Sequence, residues 1–241
     1  MSPQRSSAGE ASFRDRSGPL TDLGLTLPVF VGYHLGVVWL DVRNAADVVT
    51  HELKLLANDS LLAYSGLTLG IGAVFASVLL VLGRGQALRW ERFAFVALEG
   101  VMYAVAMRAL ASYVVGRIHL VPGEEPELSA FSGIVMSFGA GFYEEIAFRV
   151  VLFGLGVSLI KLVLPALAPL QRTLAIGGWG LLAAAVFSGW HHLGPFGEPF
   201  EPRAFAFRMV CGAVFTLIYA FRGFAPAVWT HALYDIWVLV F

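Results

Sequence analysis

Gly141–Gly154 reads GFYEEIAFRVVLFG. Three charged side chains, Glu144, Glu145 and Arg149, stand in a run that is otherwise apolar enough to lie in a membrane. Each costs about 2.5–3.5 kcal/mol to insert mid-bilayer, so a segment carrying all three needs internal pairing or a chemical use for them. Glu145 and Arg149 are four apart with the acid nearer the N-terminus, the favoured direction for a helical ion pair. Glu144 lies about 100° round the helix from Glu145 and faces elsewhere, with no partner on its own helix. A buried carboxylate without a partner takes up a proton or meets water and a cation. Either outcome suits a general base or a proton carrier. The alternative reading has both glutamates bracing neighbouring helices through Arg108 or Arg208.

The surrounding chain supplies the membrane context. Of 241 residues, 58% are hydrophobic and 14% charged, and the mean hydropathy is +0.74. Soluble domains run near 45–50% apolar and about 25% charged. The composition predicts an all-α, polytopic transmembrane helical bundle of about seven to eight helices. A net charge of −1 gives no basis for nucleic-acid binding. The single cysteine, Cys211, leaves no disulfide framework and no Cys-rich zinc site; it reads as a small packed core residue. Trp237–Phe241 contains no Cys, so the chain is not expected to be a prenylation substrate itself. Residues 1–20 read as a disordered polar tail without the apolar core of a cleaved signal peptide.

Residues 21–128 read as N-terminal transmembrane helices with an interfacial helix. The first span is Leu23–Leu40, kinked or loosely packed because it holds Pro28 and His34. Val42–Leu56 has apolar residues at helical spacing among Asp47, His51, Glu52 and Lys54, the pattern of an amphipathic helix lying in the interface. Span two, Leu61–Gly83, carries Gly66, Gly70 and Ala73/Ser77 at a spacing that allows close helix contact. Span three, Phe93–Val115, holds Glu99 and Arg108 on opposite faces, unable to pair. Leu128–Ile160 is too long for one straight span, and Gly139 and Gly141 offer a break. A short piece is therefore expected first, then a helix over Gly141–Leu162. Spans over Leu174–His192, Ala204–Phe221 and Phe224–Phe241 follow, separated by the Gly/Pro-rich Gly194–Pro202 and the tight Arg222-Gly223 turn.

Two further polar groups lie in these last spans. Phe187-Ser-Gly-Trp-His-His192 ends one of them; His191 and His192 point about 100° apart, so at most one faces a shared cavity. A histidine at a span end is also commonly just interfacial. His231 and Asp235 are four apart in the last span and share a face, so the carboxylate can fix the imidazole tautomer; a plain hydrogen-bonded pair holding helices together is the bland alternative. Glu144, His191 and the His231/Asp235 pair sit on three spans that a bundle can converge on one polar cavity. That set matches water activation with oxyanion stabilisation. Zincin and nucleophile-elbow motifs are absent: His51-Glu52 is followed by Leu-Lys-Leu, and there is no G-x-S-x-G.

The three motifs resemble those of the CAAX-protease and bacteriocin-processing (CPBP, or Abi) family, which includes the type II CAAX prenyl endopeptidases. Its pattern of E-E-x-x-x-R, F-x-x-x-H and H-x-x-x-N/D is met by Glu144-Glu145-Ile-Ala-Phe-Arg149, Phe187-Ser-Gly-Trp-His191 and His231-Ala-Leu-Tyr-Asp235. The resemblance covers about Ser129 to the C-terminus, so residues 129–241 read as CPBP-like catalytic helices in one bundle with the preceding part. It implies glutamate-type intramembrane proteolysis. By the resemblance, Glu144 with His191 activates water, His231 donates to the oxyanion, and Glu145 with Arg149 supports them beside Phe187. Asp235 stands where the prenyl endopeptidases have Asn. An ionised Asp accepts but cannot donate, so Asp235 is assigned to orienting and charging His231, and a second oxyanion donor is left unassigned. No cofactor is expected; the alternative is a zinc site made of Glu144, His191 and His231.

Counting Lys and Arg in alternate loops sets nine, including Arg5, Arg14 and Arg16, against four (Arg43, Lys54, Arg117 and Arg203). This favours a cytoplasmic N-terminus in a multi-pass protein of a bacterial or archaeal membrane. That topology puts Glu144 and His191 at the opposite depth from His231. The expected partners are membrane lipid and a peptide or protein substrate, lipidated or not. A non-catalytic immunity protein or scaffold, and a proton-coupled transporter, are the competing functional classes; no inverted repeat supports the transporter.

Overall fold

In a computed structural model the described residues are 19–40, 44–47, 49–58, 60–82, 90–116, 129–193 and 197–241. They form eight helices: α1 Pro19–Gly36, continued by a 3₁₀ turn Val37–Trp39; α2 Val49–Leu56; α3 Leu61–Leu82; α4 Trp90–Val115; α5 Ala130–Val163; α6 Pro169–Trp190; α7 Pro202–Arg222; and α8 Phe224–Val240. No strand occurs among the described residues. Five helices, α1 and α4 to α7, are long and apolar enough to cross a membrane. Apolar stretches Leu61–Val74 in α3 and Phe224–Val240 in α8 are shorter. Large apolar side chains such as Leu98, Met102, Leu155, Leu182 and Leu217 point outward, as the lipid-facing side of a bundle requires. The fold is the expected all-α polytopic bundle. Most of the polar tail, residues 1–18, lies outside the described residues.

The hub is α8. It packs against α1, α4, α5 and α7, and its first two turns, from Ala225 to Ala232, are largely buried. Its small residues allow this: Ala225, Ala227 and Ala232 let neighbouring backbones approach. The closest approach is to α5. A Cβ on Gly141 would sit 2.8 Å from the Ala232 methyl and 2.9 Å from the Val228 carbonyl oxygen. Gly139 is needed for a different neighbour, the Tyr33 ring, which occupies the place of its missing side chain.

These two glycines therefore do not break the chain, as the sequence reading expects. Helix α5 runs unbroken for 34 residues. Its backbone instead widens to π-helical geometry over Ala140–Glu144 and Ile146–Leu155, a form frequent at functional sites. Glu144 thus lies in the middle of a long helix rather than near the start of one. Glu144 Oε2 lies 4.0 Å from His231 Nε2, so the two side chains do not stand at opposite depths.

Three further expectations are corrected. Helix α1 is neither loose nor poorly packed: Val29, Tyr33 and His34 are fully buried. Gly66 and Gly70 meet no other part of the chain among the described residues, since a Cβ on either would have open space. The amphipathic helix is shorter than expected, beginning at Val49. Asp47, placed among its polar positions, is buried instead. It accepts the Tyr33 hydroxyl at 2.7 Å and the backbone N–H groups of Val49 and Thr50 at 2.9 Å, as a helix N-cap does.

Candidate active site

Four helices deliver the candidate side chains to one place. Glu144 and Glu145 come from the widened middle of α5, Phe187 from the last turn of α6 with His191 just beyond it, Phe215 from α7, and His231 with Asp235 from α8. Glu144, His191, His231 and Asp235 line one cavity of about 580 Å³.

The first contact is between α5 and α8. Glu145 Oε1 lies 2.7 Å from His231 Nδ1, while its Oε2 lies 3.1 Å from Arg149 Nε. Arg149 and Glu145 are 1% and 0% exposed, so each offsets a charge that would otherwise be stranded in an apolar interior. The guanidinium also lies over the Phe187 ring at 4.3 Å and the Phe215 ring at 5.0 Å. Phe215 stacks on His231 with ring centroids 4.4 Å apart and planes at 21°.

Both imidazoles are fixed through Nδ1. His191 Nδ1 lies 3.0 Å from the Phe187 carbonyl oxygen, which only accepts, so Nδ1 carries the proton and Nε2 is the free nitrogen. Glu145 holds Nδ1 of His231 in the same sense. The two Nε2 atoms then point at the same carboxylate oxygen. His191 Nε2 is 3.8 Å and His231 Nε2 is 4.0 Å from Glu144 Oε2. These gaps are too wide for direct hydrogen bonds and suited to a bridging water. His191 lies just beyond the end of its span, beside the cavity. Burial lowers its pKa below the ordinary histidine value, and the Glu144 charge opposes that only in part.

Asp235 and Glu145 meet His231 at different nitrogens. Asp235 Oδ2 is 3.5 Å from His231 Nε2, and the Nδ1 contact that orients the ring belongs to Glu145. The four-residue spacing that pairs Glu145 with Arg149 leaves the second carboxylate oxygen free to reach across to α8. His192 turns away, with Nδ1 3.2 Å from the Glu198 carbonyl. The bracing alternative also gives way. Arg208 is held by both Glu198 oxygens at 2.8 and 2.7 Å, and Arg108 stacks over Trp237. Glu99, unable to reach Arg108, pairs instead with Arg222 at 2.6 Å. Cys211 is buried, as expected.

Glu144 does have a partner, from a segment that carries none of the quoted motifs. Asn44 Nδ2 donates to Glu144 Oε1 at 2.6 Å. The sequence signal for it is faint: Asn44 and Asp47 bracket a short turn before an apolar helix, the composition of a capping turn. A second buried set lies beside it. His34 Nδ1 is 2.9 Å from the Tyr64 hydroxyl, and its Nε2 makes a short contact with the hydroxyl of Tyr143, the residue before Glu144.

As a zinc site the donor types suit, being two imidazole nitrogens and a carboxylate. The spacing does not. Donors about 2.0–2.1 Å from a tetrahedral zinc stand roughly 3.4 Å apart, against the 3.8 and 4.0 Å found. Among the described residues no trio of His, Cys, Asp and Glu forms a metal cage.

Comparison with known proteins adds one finding. Residues 126–237 match the family profile described as type II CAAX prenyl endopeptidase Rce1-like. No curated protein and no solved structure matches the chain. The matched segment contains all three motifs but not Asn44. The profile is that of a family of CAAX-type intramembrane proteases, which act on a peptide or protein substrate in a membrane. Through residues 126–237 the chain is similar to that CAAX-protease (CPBP) family, and its five helices long and apolar enough to cross a membrane make it an integral membrane protein.

Proposed function

We propose that the protein is a glutamate-type intramembrane endopeptidase that needs no metal, with Glu144 and His191 as the water-activating pair and His231 as the oxyanion donor. The observation that carries this reading is the convergence of two imidazole Nε2 atoms on one oxygen of Glu144, at 3.8 and 4.0 Å. A water between Glu144 Oε2 and His191 Nε2 gives up a proton to the carboxylate as its oxygen bonds to the scissile carbonyl carbon. His191 accepts a hydrogen bond from that water and aims it. The carbonyl oxygen becomes an oxyanion facing His231 Nε2, which donates to it when the ring is doubly protonated. Glu145 balances that imidazolium through Nδ1. The C–N bond then breaks, and the proton held by Glu144 passes to the departing amine. One water is consumed and no charge is left over.

The substrate is proposed as a membrane-associated or C-terminally processed peptide or protein, lipidated ones included. The side chains lining the cavity suit such a chain, since Phe207, Val238 and Leu239 offer apolar surface near the polar group.

The test is cleavage of a quenched membrane-peptide panel, including a farnesylated C-a-a-X peptide, by detergent-purified protein. Glu144→Gln is expected to lower kcat at least about 10²-fold, the scale of a lost general base, while a chelator leaves the wild type unchanged. Full activity of Glu144→Gln would overturn the reading. Loss to chelator with rescue by zinc would move Glu144, His191 and His231 into a metal site.

A further inference from the structure

We propose that Asn44 is the positioning residue for Glu144, so that the turn at residues 44–47, ahead of α2, is a working part of the site; the inference rests on the reading of Glu144 as the base. Asn44 is buried yet lines the cavity. Its amide can be oriented in only one way. Oδ1 accepts the Ala46 N–H at 2.9 Å, so the NH₂ group is the one facing Glu144, and its donor reaches Oε1 at 2.6 Å. A carboxylate held at one oxygen presents the other in a fixed direction, and here that other oxygen is the one both histidines face.

The turn is itself tied down. The Asn44 backbone N–H donates to the Tyr33 hydroxyl at 3.2 Å, which donates in turn to Asp47. Asp47 caps α2 through its other oxygen. Tyr33 is locked against α5, its ring filling the space opposite Gly139. On the far side His34 holds Tyr143. Two adjacent residues of α5, Tyr143 and Glu144, are therefore gripped by side chains from the N-terminal part of the chain, outside the segment matching the family profile. The other charged and titratable groups around Glu144 are His191 from beyond α6, His231 and Asp235 on α8, and Glu145 with Arg149 on its own helix.

Asn44→Asp separates positioning from mere turn structure. The Asp keeps an oxygen for the Ala46 N–H, so the turn survives, but it sets an acceptor against Glu144 Oε1 where a donor stood. The five proteins to compare are wild type, Asn44→Asp, Asn44→Ala, Glu144→Gln and the Asn44→Asp/Glu144→Gln double variant. The readouts are thermal midpoint in detergent and cleavage of the farnesylated C-a-a-X peptide. The expected result is a lower midpoint for Asn44→Asp, restored in the double variant because the Gln amide can donate to the new carboxylate. The kcat of Asn44→Asp is expected to fall about 10–100-fold with KM unchanged, the cost of a displaced supporting contact, and Asn44→Ala is expected to fall no further. A wild-type midpoint for Asn44→Asp, or one that Glu144→Gln does not restore, overturns the inference without reference to any substrate. If Glu144→Gln itself cleaves normally while the midpoints behave as expected, the contact stands and the assignment of Glu144 as base, with this inference about its use, falls.

Discussion

Glu145 is the residue with the most to lose. It serves His231 with one oxygen and Arg149 with the other, and all three side chains are buried. Glu145→Gln leaves the Arg149 charge without a counter-charge. It should destabilise the protein by about 3–5 kcal/mol, the cost of breaking a buried pair from one side, read as a fall in thermal midpoint. Asp235→Asn should be mild by comparison. Glu145 orients His231, and the change restores the amide that the prenyl endopeptidases carry at this position. We expect kcat to stay within about tenfold of wild type, a difference of roughly 1.4 kcal/mol in barrier. His191 sets a pH expectation. It must be neutral to accept a hydrogen bond from the attacking water, and burial lowers its pKa. Activity should therefore hold through neutral pH and be lost as the pH falls through that lowered value, below about 6.5. A kcat/KM profile with its acidic limb above that value would contradict this.

Among the elements, α5 and α8 have to stay in backbone contact for the site to exist. Gly141 meets Ala232, the residue after His231. Gly141→Val should push the helices apart, costing about 1–3 kcal/mol in stability, and should reduce cleavage by more than the lost folded fraction explains. Thermal midpoint and specific activity measured on the same preparation would separate the two effects. The elements also mark how far the sequence could be read. Apolar runs gave the helices, and identity and order gave the motif residues, because both are local properties. The widened geometry of α5 was not legible, since Gly139 and Gly141 look the same whether they interrupt a helix or admit a neighbour. The neighbours here, Tyr33 and Ala232, lie about a hundred residues away in sequence. Asn44 was missed for the same reason: its partner is 100 residues distant, and periodicity says nothing about such pairs.

At the scale of the whole molecule, the N-terminal helices are more than an anchor. Asp22 in α1 accepts the Phe224 backbone N–H at 2.6 Å and so caps α8 across the bundle. The Trp229 indole N–H returns to the Leu25 carbonyl at 2.9 Å. Asp22→Ala should cost about 0.5–2 kcal/mol, the usual worth of such a cap, measured as a lowered thermal midpoint. The enclosure of the charged centre has a consequence for ionic strength. Mobile ions screen exposed charges over about 8 Å at physiological salt but reach buried pairs far less. Glu145, Arg149 and His231 lie beneath Phe187 and Phe215, whereas the Arg208–Glu198 pair on the cavity wall is half open to solvent on its acidic side. Added electrolyte should leave the bond-breaking step unchanged, so any salt dependence of cleavage would report on how a substrate enters past Arg208.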